Sequence, residues 1–178
     1  MDRRNALMTF SGILASSALI AVPRRSALAQ AAADTPARIT MTEYKAQTLA
    51  AGNFSKQISQ LAVTNANHPR VKEFAEFEVA EQTTVAQVLT DSANPPPLAL
   101  DTQQAEVMGQ LQAQSGKDFD SAYVQAQIAG HRQLLTIQQA FLNAAMAGQE
   151  YEPIAVMARM VIQMHLTMLQ DLQNQIAA

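Results

Sequence analysis

Four polar side chains fall on otherwise apolar helical stripes: Ser55 beside Phe54 and Ile58, Glu78 between Phe74 and Val85, His131 between Ile128 and Leu135, and His165 between Ile162 and Leu169. A polar group in such a position is carried into the core with its neighbours and needs a partner there. Gln82 and Glu81 lie a turn beyond Glu78 and share its face. Two imidazoles with one or two carboxylates inside a bundle make a site for one divalent metal ion, with His131, His165, Glu78 and Gln82 as the expected ligands. A hydrogen-bonded polar layer without metal satisfies the same pattern. Met157, Met160, Met164 and Met168 recur beside His165. Thioether with imidazole would suit a soft transition-metal ion such as Cu(I), whereas methionine more commonly fills gaps in a helical core.

Other chemistries lack their residues. A dinuclear iron or manganese centre needs about four inward carboxylates and two Glu-x-x-His pairs. Here Ile128 and Ile162 stand three residues before the two histidines. There is no cysteine, so thiolate ligands, thiol nucleophiles and disulfides are all excluded. No Ser-His-Asp order, zinc-finger spacing or glycine-rich phosphate loop is present, and no catalytic activity is expected.

The elements that would position these residues are helical throughout. Thr40 and Glu43 form a capping box for a first helix running to about Asn65. His68-Pro69 marks a turn, with Pro69 suited to the first position of a second helix. Its stripe, Val71, Phe74, Ala75, Val85, Val88 and Leu89, runs to about Thr90. Asn94-Pro95-Pro96-Pro97 stops that helix. Asp101 with Gln104 starts a short helix expected to end at Ser115-Gly116. A third long helix is expected from about Phe119 to Ala147, stopped by Gly148, and a fourth from near Pro153 to the C-terminus. The expectation is an all-α chain, a ferritin-like four-helix bundle whose long middle crossover contains a short extra helix.

The N-terminus gives an address. Arg3-Arg4, an apolar run to Val22 and Ala27-Leu28-Ala29 have the layout of a cleavable export signal over residues 1–29. It partly matches the twin-arginine type, which exports folded proteins: Leu7 fits, while Asp2, Ala6 and Met8 depart from it. The apolar run is too diluted for a membrane span, so no transmembrane anchor is expected after cleavage. Residues 30–39 read as a flexible tether and 40–178 as the folded domain, giving a periplasmic or secreted protein. The signal holds four of the 12 basic and one of the 15 acidic residues, leaving 8 basic against 14 acidic, a net charge of −6. That balance argues against nucleic acid and anionic membrane as partners, and an envelope protein is the partner class only if the domain is an interaction module.

The run Lys117-Asp118-Phe119-Asp120-Ser121-Ala122-Tyr123, followed by Gln127, His131 and His165-Leu166, resembles the bacterial family called domain of unknown function 4142, as does His68 to Ala75. The resemblance implies a secreted, ferritin-like bundle with no established activity, and His131 and His165 as ligand positions. Members commonly carry a glutamate on the first helix and an Asp-His pair on the second, where this chain has Ser55 and Glu81-Gln82. Half of that ligand set is changed here. The alternative to a metal-holding protein is an interaction module in which the polar layer only fixes helix register.

Overall fold

The computed structural model describes residues 38–144 and 149–177. The expected export signal lies outside the described residues, as does the expected tether except for Arg38 and Ile39. Among the described residues five helices follow in order: α1, Met41–Asn65; α2, Pro69–Thr90; α3, Thr102–Gln112; α4, Gly116–Ala144; and α5, Glu152–Ala177. Among the described residues there is no strand. No described helix is long and apolar enough to cross a membrane.

Local chemistry sets the boundaries. Thr40 caps α1, accepting from Glu43 N at 3.2 Å while the Glu43 carboxylate accepts from Thr40 N at 2.8 Å. That contact holds the Glu43 carboxyl below its ordinary value. His68 caps α2 ahead of Pro69. The helix ends at Asp91 in the left-handed region, with φ of 51°. Asp101 and Gln104 form the box that opens α3.

Two expected boundaries shift. The short helix ends at Gln112, and α4 begins at Gly116, three residues before Phe119. The cause is Gly116 itself, whose φ of +58° turns the chain and lets Ser115 O accept from Phe119 N. The expected end of this helix at Ala147 and Gly148 falls outside the described residues.

α1 packs on α2 and α4, α4 packs on α5, and α3 touches α1 and α4. Two apolar clusters show how the helices run. One joins Ile58 and Ala62 to Val71, Phe74, Phe119, Tyr123, Leu169 and Leu172; the other joins Tyr44 and Ala51 to Leu89, Leu134, Phe141, Ala155 and Ile162. The first therefore gathers the C-terminal halves of α1 and α5 with the N-terminal halves of α2 and α4, and the second gathers the opposite ends. So α2 and α4 are parallel, and the chain between them returns the length of the molecule, contributing Leu111 to the first cluster.

The expected apolar stripes hold with one correction on α2. Val88 is 53% exposed. The buried row instead runs Val71, Phe74, Ala75, Glu78, Gln82 and Leu89, which leaves Val88 about a quarter-turn outside it.

Candidate metal centre

Between the two apolar clusters the helices carry a polar layer. Ser55 and Ser59 come from α1, Glu78 and Gln82 from α2, Tyr123, Gln127 and His131 from α4, and His165 from α5, all buried. Each is placed by helical repeat: Ser59 follows Ser55 by four residues, Gln82 follows Glu78 by four, and Gln127 and His131 follow Tyr123 by four and eight.

Three atoms converge at the centre. His131 Nε2 lies 3.1 Å from His165 Nδ1, and Glu78 Oε2 lies 3.4 Å from each. Among the described residues, Glu78, His131 and His165 form the one group of three or more such side chains able to share an ion. The second nitrogen of each ring is occupied from outside. His131 Nδ1 sits 2.8 Å from the carbonyl of Gln127, which fixes it as the N–H donor and leaves Nε2 with its lone pair inward. His165 Nε2 faces Glu81 Oε2 at 3.5 Å, at the less buried edge of the layer. Phe74 roofs both rings, with centroid distances of 6.0 and 5.3 Å.

The Glu78 carboxylate is held at one oxygen and bare at the other. Gln82 Nε2 donates to Oε1 at 2.9 Å. Ser55 Oγ lies 2.7 Å from Glu78 Oε1 and 2.7 Å from Gln127 Oε1, and its single proton goes to one of them at a time. Gln127 Nε2 donates to Ser59 Oγ at 2.7 Å and to Tyr123 OH at 3.1 Å, which ties α1 to α4 below the site. Glu78 Oε2 has no hydrogen-bond partner although it is fully buried. A buried charge so placed costs several kcal/mol unless something compensates it.

Electrostatics follow from this packing. Burial works to raise the Glu78 carboxyl, but the two facing imidazoles prevail and hold it below the carboxylate range. Burial raises the Glu81 carboxyl, and the neighbouring Glu78 charge adds to that. Burial works to lower His165, yet Glu78 and Glu81 outweigh it and raise it.

The distances separate two chemistries. A charge-assisted N–H···O bond between an imidazolium and a carboxylate closes to about 2.7–2.9 Å. The contacts of 3.4, 3.4 and 3.5 Å are slack by that measure. Ligand atoms bound at about 2.0–2.1 Å around a tetrahedral ion stand about 3.3 Å apart. The triangle of 3.1, 3.4 and 3.4 Å has that size.

The expected ligands are thus divided by the structure. Glu78, His131 and His165 converge, whereas Gln82 stands behind the carboxylate, its Nε2 on Glu78 and its Oε1 against Gly52. A Cβ at position 52 would come within 2.4 Å of that oxygen, so the glycine makes the space that Gln82 occupies.

Three of the four methionines depart from both expectations, whereas half-buried Met168 packs against the first apolar cluster as a core filler. Met157, Met160 and Met164 are 59, 60 and 54% exposed, so they neither fill the core nor supply thioethers to the converging atoms. Tyr123 and Gln127 belong to the run that carries the family resemblance, and Ser59 is the one member of the layer outside the sequence expectations, although its four-residue spacing from Ser55 points to it. Asp120, part of the run that carries the family resemblance, is buried and accepts from Asn67 N at 3.0 Å and His68 N at 2.8 Å, fastening the α1–α2 turn to α4.

The helical fold and this buried cluster define an all-α protein built around an internal His-His-Glu layer. The chain belongs to the family described as "Domain of unknown function (DUF4142)", whose family model matches residues 26–172. No curated protein matches the chain. No solved structure matches it either.

Proposed function

We propose that this is an exported, ferritin-like four-helix protein without catalytic turnover that holds one first-row divalent metal ion through Glu78, His131 and His165. The observation that carries the reading is Glu78 Oε2, buried without a hydrogen-bond partner and facing two imidazole nitrogens. An ion at that point would bind directly the oxygen that the two imidazoles face at 3.4 Å without hydrogen-bonding, and two nitrogens with one oxygen suit Zn(II) or a neighbouring ion better than Cu(I). Three protein ligands leave one tetrahedral position for water. Export is supported by the layout of residues 1–29.

The deciding experiment is elemental analysis of the chain from Gln30 onward, purified from the periplasm without chelator or affinity metal, followed by melting with and without added Zn(II). Near-stoichiometric metal is expected, with a rise in melting temperature that His131→Ala abolishes; saturation at 100 times Kd stabilises by about 2.7 kcal/mol. Glu78→Gln keeps the shape and Oε1 while removing the charge. It should abolish the metal-dependent rise while the metal-free protein still melts cooperatively, compared at a pH above the His165 value, where the imidazoles that the carboxylate faced are neutral. A protein that stays empty and unshifted with every ion tried defeats the reading.

A second reading, an envelope interaction module, draws on exposed Phe77 on α2 and Met157, Met160 and Met164 on α5. Reproducible recovery of one envelope protein, lost on Phe77→Ser with Met160→Ser, would favour it.

A further inference from the structure

A pocket of about 110 Å³ lies between α1, α2 and the proline-rich start of the crossover. Leu49, Val85, Ala86, Pro95, Pro96 and Leu98 supply its apolar wall. The polar groups there are committed elsewhere. Asn53 donates through Nδ2 to Leu98 O at 2.9 Å and accepts from Leu98 N at 3.1 Å, fastening the proline segment over the opening. Thr90 Oγ1 donates to Ala86 O at 2.6 Å, Thr48 Oγ1 accepts from Gln138 Nε2 at 3.5 Å, and Gln82 Nε2 is held by Glu78. Lys56 is the one charged residue in the wall.

A water molecule held in a pocket needs two to four polar partners, and apart from Gln82 Oε1 and Lys56 these groups have little left to give. An apolar cavity of about 150 Å³ elsewhere takes benzene or xenon, so 110 Å³ is room for a guest of that order. We propose that this pocket is a binding site for a compact, uncharged, apolar molecule of up to about the size of benzene, flanked on its open side by the Pro95–Leu98 segment. The inference is independent of the metal reading. Its inner wall is nevertheless shared with the metal centre, because Gln82 lines the pocket and steadies Glu78.

The test is methyl-detected NMR of the chain from Gln30 onward, titrated with xenon, benzene and benzoate. Xenon and benzene should give saturable shifts at the methyls of Leu49, Val85, Ala86 and Leu98. Ala86→Leu, which fills the space, should remove them while the protein still melts cooperatively; Ala86→Val serves if the larger side chain prevents folding. Shifts that never saturate, or that persist in a folded filled variant, overturn the proposal. So does benzoate binding more tightly than benzene with the advantage lost in Lys56→Met, which would make this an anion site.

Discussion

Glu81 Oε2 lies 3.5 Å from His165 Nε2, on the opposite side of the imidazole from Glu78. In the metal-free protein the 3.1 Å contact needs His165 Nδ1 to donate to the His131 Nε2 lone pair; with an ion bound, the Glu81 carboxylate would favour the proton on Nε2 and free the Nδ1 lone pair for the metal. Removing such a partner typically weakens metal binding by about 10–100-fold. Glu81→Gln should therefore melt like the parent without metal but bind Zn(II) about tenfold or more weakly, as read by competition with a chromophoric chelator. Equal affinity would show that Glu81 is only a surface carboxylate.

Gly52 should behave unlike an ordinary glycine within a helix. Alanine in a helix interior is favoured over glycine by about 0.8–1.0 kcal/mol. Against Gln82, however, the new methyl meets Oε1 at 2.4 Å and displaces the amide that holds Glu78. The expectation is a non-additive cycle: Gly52→Ala stabilises by about 1 kcal/mol in a Gln82→Ala background and gains little or nothing in the parent. Denaturant melts of the four proteins decide it, and a full gain in both backgrounds would mean that Gln82 moves aside at no cost.

The metal-free and metal-loaded proteins should respond to pH with opposite signs. His165 is raised above its ordinary 6.5 by Glu78 and Glu81 against the effect of burial. A raised histidine contributes stability that is complete below the unfolded value, near 6.5, and fades as pH rises through the higher folded value. Metal requires both imidazoles unprotonated, so its affinity grows over the same interval. Melting temperatures from pH 5.5 to 8.5 should thus fall in chelator and rise in excess Zn(II). Parallel trends would contradict the assignment of His165.

The outward methionines make a chemical prediction. Met157, Met160 and Met164 should be the first sites on α5 converted to sulfoxide by dilute hydrogen peroxide, ahead of the half-buried Met168. Their oxidation should barely change the melting temperature, because no packed core is disturbed. Peptide mass spectrometry beside a thermal melt reads both, and a large early drop in stability would place these side chains inside.

Much of the architecture was legible because its signals are local. Thr40 with Glu43, Asp101 with Gln104, and Pro69 after His68 each announce a helix start through groups at most three residues apart. Glu78, His131 and His165 could be marked because a polar residue flanked by Phe74, Ile128 or Ile162 is carried inward with them. Other features depend on neighbours that the chain supplies from far away. Val88 and Leu89 are adjacent and equally apolar, and only the angle at which α2 packs decides which one is covered. Met160 and Ile162 on α5 pose the same problem. The division of labour between Glu78 and Gln82 depended on Gly52 of another helix, a pairing that no spacing within α2 contains.

The parallel arrangement of α2 and α4 has a consequence for assembly. Glu78 belongs to the hairpin made before the crossover, whereas His131 and His165 belong to the hairpin made after it. Neither hairpin alone owns a complete set of donors. If the proposed ion binds at their junction, it would act as a rivet between the two halves of the chain, and its capture would report that the crossover has delivered the second half to the first. Cutting the backbone near Pro96 would turn an intramolecular closure into a bimolecular one, with the metal setting how tightly the two fragments find each other again.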